Sequence, residues 1–252
     1  MVSENTPDLW KSVFPIPAPD GHKYDRGHTV ILGSDRYTGA TRLASEAASR
    51  VGSGLVTVLS ETQADTYRRT LPADIMVSER GLSTINRPSV LLAGSGGCSD
   101  AQADTVTRAP QDLIRVLDAD AIRLAHRLKT VPTILTPHAG EFERYLASDS
   151  DLLSVSKAVN SVLVLKGPET QIAAPDGRLV VNRVATRYLA KAGTGDVLAG
   201  LIAGLATQGM PTFEAACAGV WLHGYAAQRI GPGLIPQDIT GEMRAILSDL
   251  IR

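Results

Sequence analysis

Short runs of valine, isoleucine and leucine recur along the chain, and most stop at a glycine, an aspartate or a proline. They fall at 28–33 (HTVILG), 55–59 (LVTVL), 89–93 (SVLLA), 113–117 (LIRVL), 133–135 (TIL) and 161–165 (SVLVL). None alternates apolar with polar positions. Strands covered on both faces read this way, as in a parallel sheet flanked by helices. Stretches with helical spacing separate most of them, beginning with 41–51, which predicts a strand–helix–strand series. The segment 171–181 differs. Two apolar runs flank Pro175-Asp176-Gly177, which predicts a hairpin on a β-turn. Helices are then expected over 196–209, 212–230 and about 237–251. The first twenty residues carry Pro7, Pro15, Pro17 and Pro19 and read as an extended entry segment, 1–20. No repeat or linker interrupts the pattern. Residues 1–252 are therefore expected to form one α/β domain, a mostly parallel central sheet with helices on both faces.

Glycines and polar residues collect directly after the apolar runs. In an open parallel sheet, ligands bind in the crevice beyond the carboxyl ends of the strands. The most informative run is Ala192-Gly193-Thr194-Gly195-Asp196-Val197-Leu198-Ala199-Gly200. Its two closely spaced glycines allow a tight turn that aims successive N–H groups at one point. A helix starting at Asp196 adds unpaired first-turn amides, so the segment reads as an anion site. A carboxylate there suits deprotonating a hydroxyl that attacks a phosphoryl group, although aspartate also caps helices well. The helix dipole favours the ionised form, so a low pKa is expected for Asp196. Gly200 and Gly204, four apart, read as close helix packing. The P-loop pattern does not occur, and Gly94-Ser95-Gly96 lacks the third glycine of a dinucleotide fingerprint.

Composition changes this picture mainly by exclusion. With 44% hydrophobic and 20% charged residues the chain is globular, and 25 basic against 26 acidic residues leave no basic excess for nucleic acid or a membrane surface. Aromatics at 4% are too few for a ring-stacking binding surface. Cys98 and Cys217 have no metal-ligand spacing and read as free thiols. The polar start has no apolar core of a signal peptide, and the longest apolar run, 197–206, is about half of the ~20 residues a membrane span needs. A cytoplasmic location is expected.

Taken in order, the motifs resemble one family. Gly193-Thr194-Gly195-Asp196 before an apolar helix is similar to the anion-hole-and-base signature of the ribokinase-like superfamily. Within it, about residues 22–250 resemble the ADP/ATP-dependent NAD(P)H-hydrate dehydratases. The matching blocks include Tyr37-Thr38-Gly39-Ala40, Gly52-Ser53-Gly54, Gly94 with Gly96, Asp118-Ala119-Asp120, Thr136-Pro137-His138-Ala139-Gly140-Glu141, Leu165-Lys166-Gly167 and Leu222-His223-Gly224. The resemblance implies a ribokinase-like fold and repair of hydrated NADH or NADPH. A phosphoryl group would pass from ADP (or ATP) to the ring hydroxyl, and phosphate would then leave.

The resemblance also implies roles. Asp196 would be the base, and the N–H groups of Gly193, Thr194 and Gly195 the anion hole. Ala40, Gly96, His138 and Asp196 would contact the hydrated dinucleotide. Lys166, Gly167, Pro168, Glu169, Thr170 and Gly195 would contact the adenine nucleotide. Glu141 would hold Mg²⁺ through water, or else be helix surface. Asp118 and Asp120 either fix loops or touch Mg²⁺, His138 also fits a plain turn residue, and Lys166 a solvated strand end. His126 and His223 read as core or surface. A homo-oligomer, such as a tetramer, and a separate NAD(P)H-hydrate epimerase are the implied partners. The chain departs from the pattern at Gly94-Ser95-Gly96-Gly97-Cys98, where members usually carry Gly-Pro-Gly-Leu-Gly, and at Thr186-Arg187-Tyr188-Leu189-Ala190-Lys191. A ribokinase-like kinase for a vitamin precursor and a non-catalytic nucleotide-binding protein are the alternatives.

Overall fold

The computed structural model describes residues 3–146 and 150–251. Its sheet runs β1 (Ser3–Glu4), β2 (His28–Leu32), β3 (Leu55–Leu59), β4 (Ile75–Ser78), β5 (Val90–Ala93), β6 (Ile114–Leu117), β7 (Thr133–Leu135), β8 (Val162–Leu165), β9 (Thr170–Ala173) and β10 (Leu179–Asn182). The spatial order is β1-β10-β9-β8-β7-β6-β5-β2-β3-β4. All neighbours pair parallel except β8 with β9 and β9 with β10, the expected hairpin and its docking strand. The helices are α1 (Thr38–Val51), α2 (Ala64–Thr70), α3 (Asp100–Arg108), α4 (Ala139–Tyr145), α5 (Leu152–Val159), α6 (Thr194–Thr207), α7 (Thr212–Ile230) and α8 (Pro236–Leu250). None is long and apolar enough to cross a membrane among the described residues.

Burial on both faces explains the unbroken apolar runs. Val30, Leu32, Leu91 and Ala93 point into one core, under α3, α4, α5 and a 3₁₀ stretch over Ala119–Arg127. Ile31, Val90 and Leu92 point into the other, under α1, α6, α7 and α8. Helix α6 lies deepest. It is apolar around its whole circumference, and only Gly195 and Asp196 of its residues are not buried. Its glycines let it touch α1: a Cβ on Gly200 would lie 2.2 Å from the Ala44 carbonyl oxygen, and one on Gly204 2.7 Å from that of Ala48.

Two parts of the pattern differ from expectation. The entry segment is not simply extended. Ser3 and Glu4 pair with Val180 and Val181 at the sheet edge, and two 3₁₀ turns, Pro7–Leu9 and Lys11–Val13, follow. Trp10, fully buried between them, packs its ring against Phe14 and Trp221 with centroids 5.8 and 5.7 Å away. A single buried aromatic, invisible to periodicity, anchors the strap. Strand β4 is the second: it is an edge strand with only Ile75 buried, so its apolar pattern is too weak to mark it. Arg115 is a further surprise inside β6. It is completely buried, and its guanidinium donates to the carbonyls of Ala109 at 2.7 Å, Pro110 at 2.6 Å, and Leu113. Carbonyl dipoles, not a carboxylate, hold both terminal nitrogens of this cation and tie the α3–β6 loop together.

Candidate active site

Chain order reverses between β2 and β5, so the loops leaving these two strands diverge and open a crevice, as topological switch points do. Short hydrogen bonds set its walls. Ser34 Oγ donates to the Gly96 carbonyl at 2.7 Å and accepts from the amides of Arg36 and Tyr37. Thr41 Oγ1 accepts from the Ser34 amide at 3.0 Å and donates to the Ser95 carbonyl at 3.3 Å. Gly96 takes φ +86, and a Cβ there would meet the Tyr37 carbonyl oxygen at 2.6 Å. This contact pins Tyr37, the N-cap of α1, whose first turn carries Ala40, to the loop bearing Gly96.

The N-terminus of α6 faces the ends of β6, β7 and β8. Gly193, the N-cap, takes φ +93, a left-handed conformation that glycine adopts without strain. Thr194 is turned inward. Its Oγ1 donates to the Leu189 and Lys191 carbonyls at 2.9 Å, and its amide reaches the Lys191 carbonyl at 3.4 Å. The amides of Gly193, Gly195 and Asp196 have no backbone acceptor among the described residues. They are the donors left for an anion.

Around them lies a charged cluster. Asp118, at the end of β6, is buried and accepts from Thr136 Oγ1 and Lys166 Nζ, both at 2.8 Å. Both contacts use Oδ1 and tie the loops after β6, β7 and β8 together. Lys166 Nζ is also 4.0 Å from Glu141 Oε2, and a Cβ on Gly195 would sit 3.4 Å from it. Burial alone would push the Lys166 ammonium down, but Asp118, Glu141 and Asp196 outweigh it and raise the pKa. Lys166 is therefore a fixed cation beside the α6 N-terminus and no solvated strand end.

Asp196 behaves differently from the dipole argument. Burial pushes its carboxyl up to about 6, the Asp118 charge adds to the rise, and Ser95, Lys166 and its own amide oppose it. The expected low pKa is overturned because lost hydration and a second carboxylate outweigh the helix N-terminus. At pH 7 the ionised form still leads by about tenfold.

Beside the cluster opens a cavity of about 660 Å³. Lys166, Gly167, Pro168, Thr170 and Gly195 line one side, and Val184, Arg187 and Leu189 the other. Glu169 is not on this lining; its carboxylate is 3.1 Å from Nε of Arg183, which is. His223 forms part of the cavity floor. Burial pushes its pKa down to about 4, so the imidazole is neutral and Nε2–H donates to the Thr194 carbonyl at 2.9 Å. Gly224 beside it lets the 183–185 loop cross α7, since a Cβ there would meet the Val184 carbonyl oxygen at 1.7 Å.

His138 and Glu141 form a reciprocal cap on α4. The His138 amide donates to Glu141 Oε2 at 2.8 Å, and the Glu141 amide to His138 Nδ1 at 3.3 Å. The His138 side chain stays 60% exposed, with Nε2 3.3 Å from Glu141 Oε1. Among the described residues no three histidine, cysteine, aspartate or glutamate groups converge into a protein metal cage. Glu141, half-buried beside Lys166, is the carboxylate of this cluster that could hold a hydrated magnesium ion through water. Sequence reasoning left the role of Asp118 open and gave Ser95 and Thr136 no role. Their signal was position alone, each standing on a loop just past a strand end.

Comparison with known proteins adds a second kind of observation. A family model described as NAD(P)H-hydrate dehydratase matches residues 28–237. The chain is 35% identical to an ADP-dependent (S)-NAD(P)H-hydrate dehydratase of Xanthomonas campestris pv. campestris, over 94% of each chain. It is 33% identical to a bifunctional NAD(P)H-hydrate repair enzyme of Coxiella burnetii, and spans about half of that protein, 54%. The fold superimposes with a TM-score of 0.85 on the ADP/ATP-dependent NAD(P)H-hydrate dehydratase of Bacillus subtilis co-crystallized with ATP/Mg²⁺, at 27% identity and 99% coverage of both chains.

Proposed function

The chain belongs to the NAD(P)H-hydrate dehydratase family, and on that premise we infer that it restores hydrated NADH or NADPH at the expense of ADP. The observation that carries the mechanism is the meeting of one base, one cation and unpaired amides at the α6 N-terminus. The hydrated ring enters the crevice between the 37–40 and 94–97 loops, with His138 at its rim. Asp196 accepts the proton of the ring hydroxyl as its oxygen attacks the terminal phosphorus of ADP. The nucleotide lies along Lys166, Gly167, Pro168 and Thr170 over the cavity. Negative charge on the transferring group meets the Gly193 and Gly195 amides and the Lys166 ammonium, which are already in place and need no reorganisation. AMP departs. The ring nitrogen's lone pair then expels phosphate, and loss of a proton from the neighbouring carbon restores the double bond.

Mg²⁺ would be held by the nucleotide phosphates and, through water, by Glu141, and would supply charge neutralisation on those phosphates. A separate NAD(P)H-hydrate epimerase would feed the enzyme the reactive epimer. The relatives favour neither a vitamin-precursor kinase nor a non-catalytic binder. The test is to mix the protein with hydrated NADH and ADP. Reduced-nicotinamide absorbance should return with one AMP and one phosphate per NADH. Nucleotide breakdown without recovery of NADH would overturn the reading.

A further inference from the structure

Ser95 has no part in the mechanism above, yet it is 1% exposed and its Oγ has no hydrogen-bond partner among the described residues. Buried hydroxyls without a partner are rare and costly, and one aimed into a site calls for an explanation. Its position comes from the loop, not from a bond of its own. The Ser95 carbonyl is held by Thr41, the Gly96 carbonyl by Ser34, and the Gly97 amide donates to the Gly94 carbonyl at 2.7 Å. Gly94, at φ +108, rests directly on the Asp118 backbone, where a Cβ would lie 1.8 Å from the carbonyl oxygen. This four-contact frame presents the Ser95 hydroxyl to the Asp196 carboxylate, its neighbour across the crevice. Ser95 Oγ makes no hydrogen bond among the described residues, and the Asp196 carboxylate is the acceptor beside it.

The other charged groups around Asp196 cannot orient it. Asp118, at the end of β6, repels it. Lys166, at the end of β8, is already bonded to Asp118 at 2.8 Å and shared with Glu141 of α4. His223 of α7 is neutral and bonded to the Thr194 carbonyl. The remaining uncommitted side-chain donor at the carboxylate is the Ser95 hydroxyl. We infer that Ser95 is a positioning residue for Asp196: its hydroxyl donates to one carboxylate oxygen and leaves the other aimed at the reacting hydroxyl. This rests on Asp196 being the base.

The test is a double-mutant cycle with Ser95→Ala, Asp196→Asn and the pair, each followed by kcat/KM against pH and by ADP titration. Ser95 does not line the cavity beside Lys166, so ADP affinity in Ser95→Ala should be unchanged. Its kcat should fall by about tenfold, the usual worth of a hydrogen bond to a charged group. The acid limb of the pH profile should move upward by about half to one pH unit, because the anion loses its donor. In the Asp196→Asn background Ser95→Ala should cost nothing further. An unmoved acid limb, or the same loss in both backgrounds, would overturn the role of Ser95 while leaving Asp196 as base. Turnover within threefold of wild type in Asp196→Asn alone would overturn the base, and this inference with it.

Discussion

Asp196 is pulled in two directions. The first turn of α6 favours its anion, while burial and Asp118 favour the neutral acid and prevail, bringing it to about 6. A base tuned nearer to neutrality is a better proton acceptor than an ordinary aspartate. The same shift has a cost in stability. The folded pKa lies above the ordinary 3.8, so the favourable contribution is complete below 3.8 and is lost as pH rises through about 6. Asp196→Asn should therefore be more stable than wild type at pH 8, by on the order of 2 kcal/mol, and should lose that advantage by pH 4, as thermal melts at the two pH values would record. Lys166 is coupled to the same cluster. Lys166→Ala should weaken ADP binding by about tenfold or more and, by leaving Asp118 buried without its cation, destabilise the fold by about 3 kcal/mol. Calorimetric titration and melting would check both, and an unchanged ADP affinity would remove Lys166 from the nucleotide site. The residues at strand ends were legible in the sequence because each follows an apolar run. Their pKa values were not, because burial and a neighbouring Asp118, 78 positions away in the chain, have no local signature.

Helix α6 holds its N-terminus in place by packing on every side. The glycine spacing predicts a close helix contact, and the structure gives its partner, α1, and its closeness. Gly200→Ala would drive a methyl into the Ala44 carbonyl, 2.2 Å from the added carbon. Neither partner is a flexible side-chain end, so the expected loss is about 3 kcal/mol in urea denaturation. Helix α7 supports α6 through His223 and the Thr194 carbonyl. This link has its own pH signature. In the unfolded chain the imidazole takes a proton near 6.5, but in the fold not until about 4, so stability falls as pH drops through that window. His223→Gln can keep the donor and should abolish the fall, worth about 3 kcal/mol by pH 4. In wild type the opposite slope of Asp196 offsets part of it, so each variant should reveal the other residue's titration. A His223→Gln melt with the wild-type pH dependence would assign the buried imidazole no such role. The entry strap and β4 escaped the sequence reading for a different reason: one rests on a single tryptophan and the other on a half-exposed edge, and neither produces a period.

At the scale of the whole molecule, the reversal of strand order between β2 and β5 creates the site. It opens the crevice, and the ends of β2, β5, β6, β7 and β8 deliver the 34–41, 94–97, 118, 136–141 and 166–170 segments to the tip of α6. The parallel, doubly covered sheet could be read from unbroken apolar runs, and the loops that end them from their glycines. The order of the strands could not, since periodicity says nothing about which neighbours pair. That order is what sets Asp196 opposite the Ala40 and Gly96 loops and beside Lys166, far apart though they are in the chain. The central claim is that this convergence makes Asp196 the base for phosphoryl transfer to the hydrated ring. Asp196→Asn preserves size, leaves the Gly193 N-cap of α6 untouched and removes only the proton acceptor. The decisive measurement is its kcat for NADH recovery from hydrated NADH and ADP, taken beside its ADP affinity. The account predicts unimpaired ADP binding with kcat lowered by ~10²–10⁴; near wild-type turnover with binding intact would contradict it.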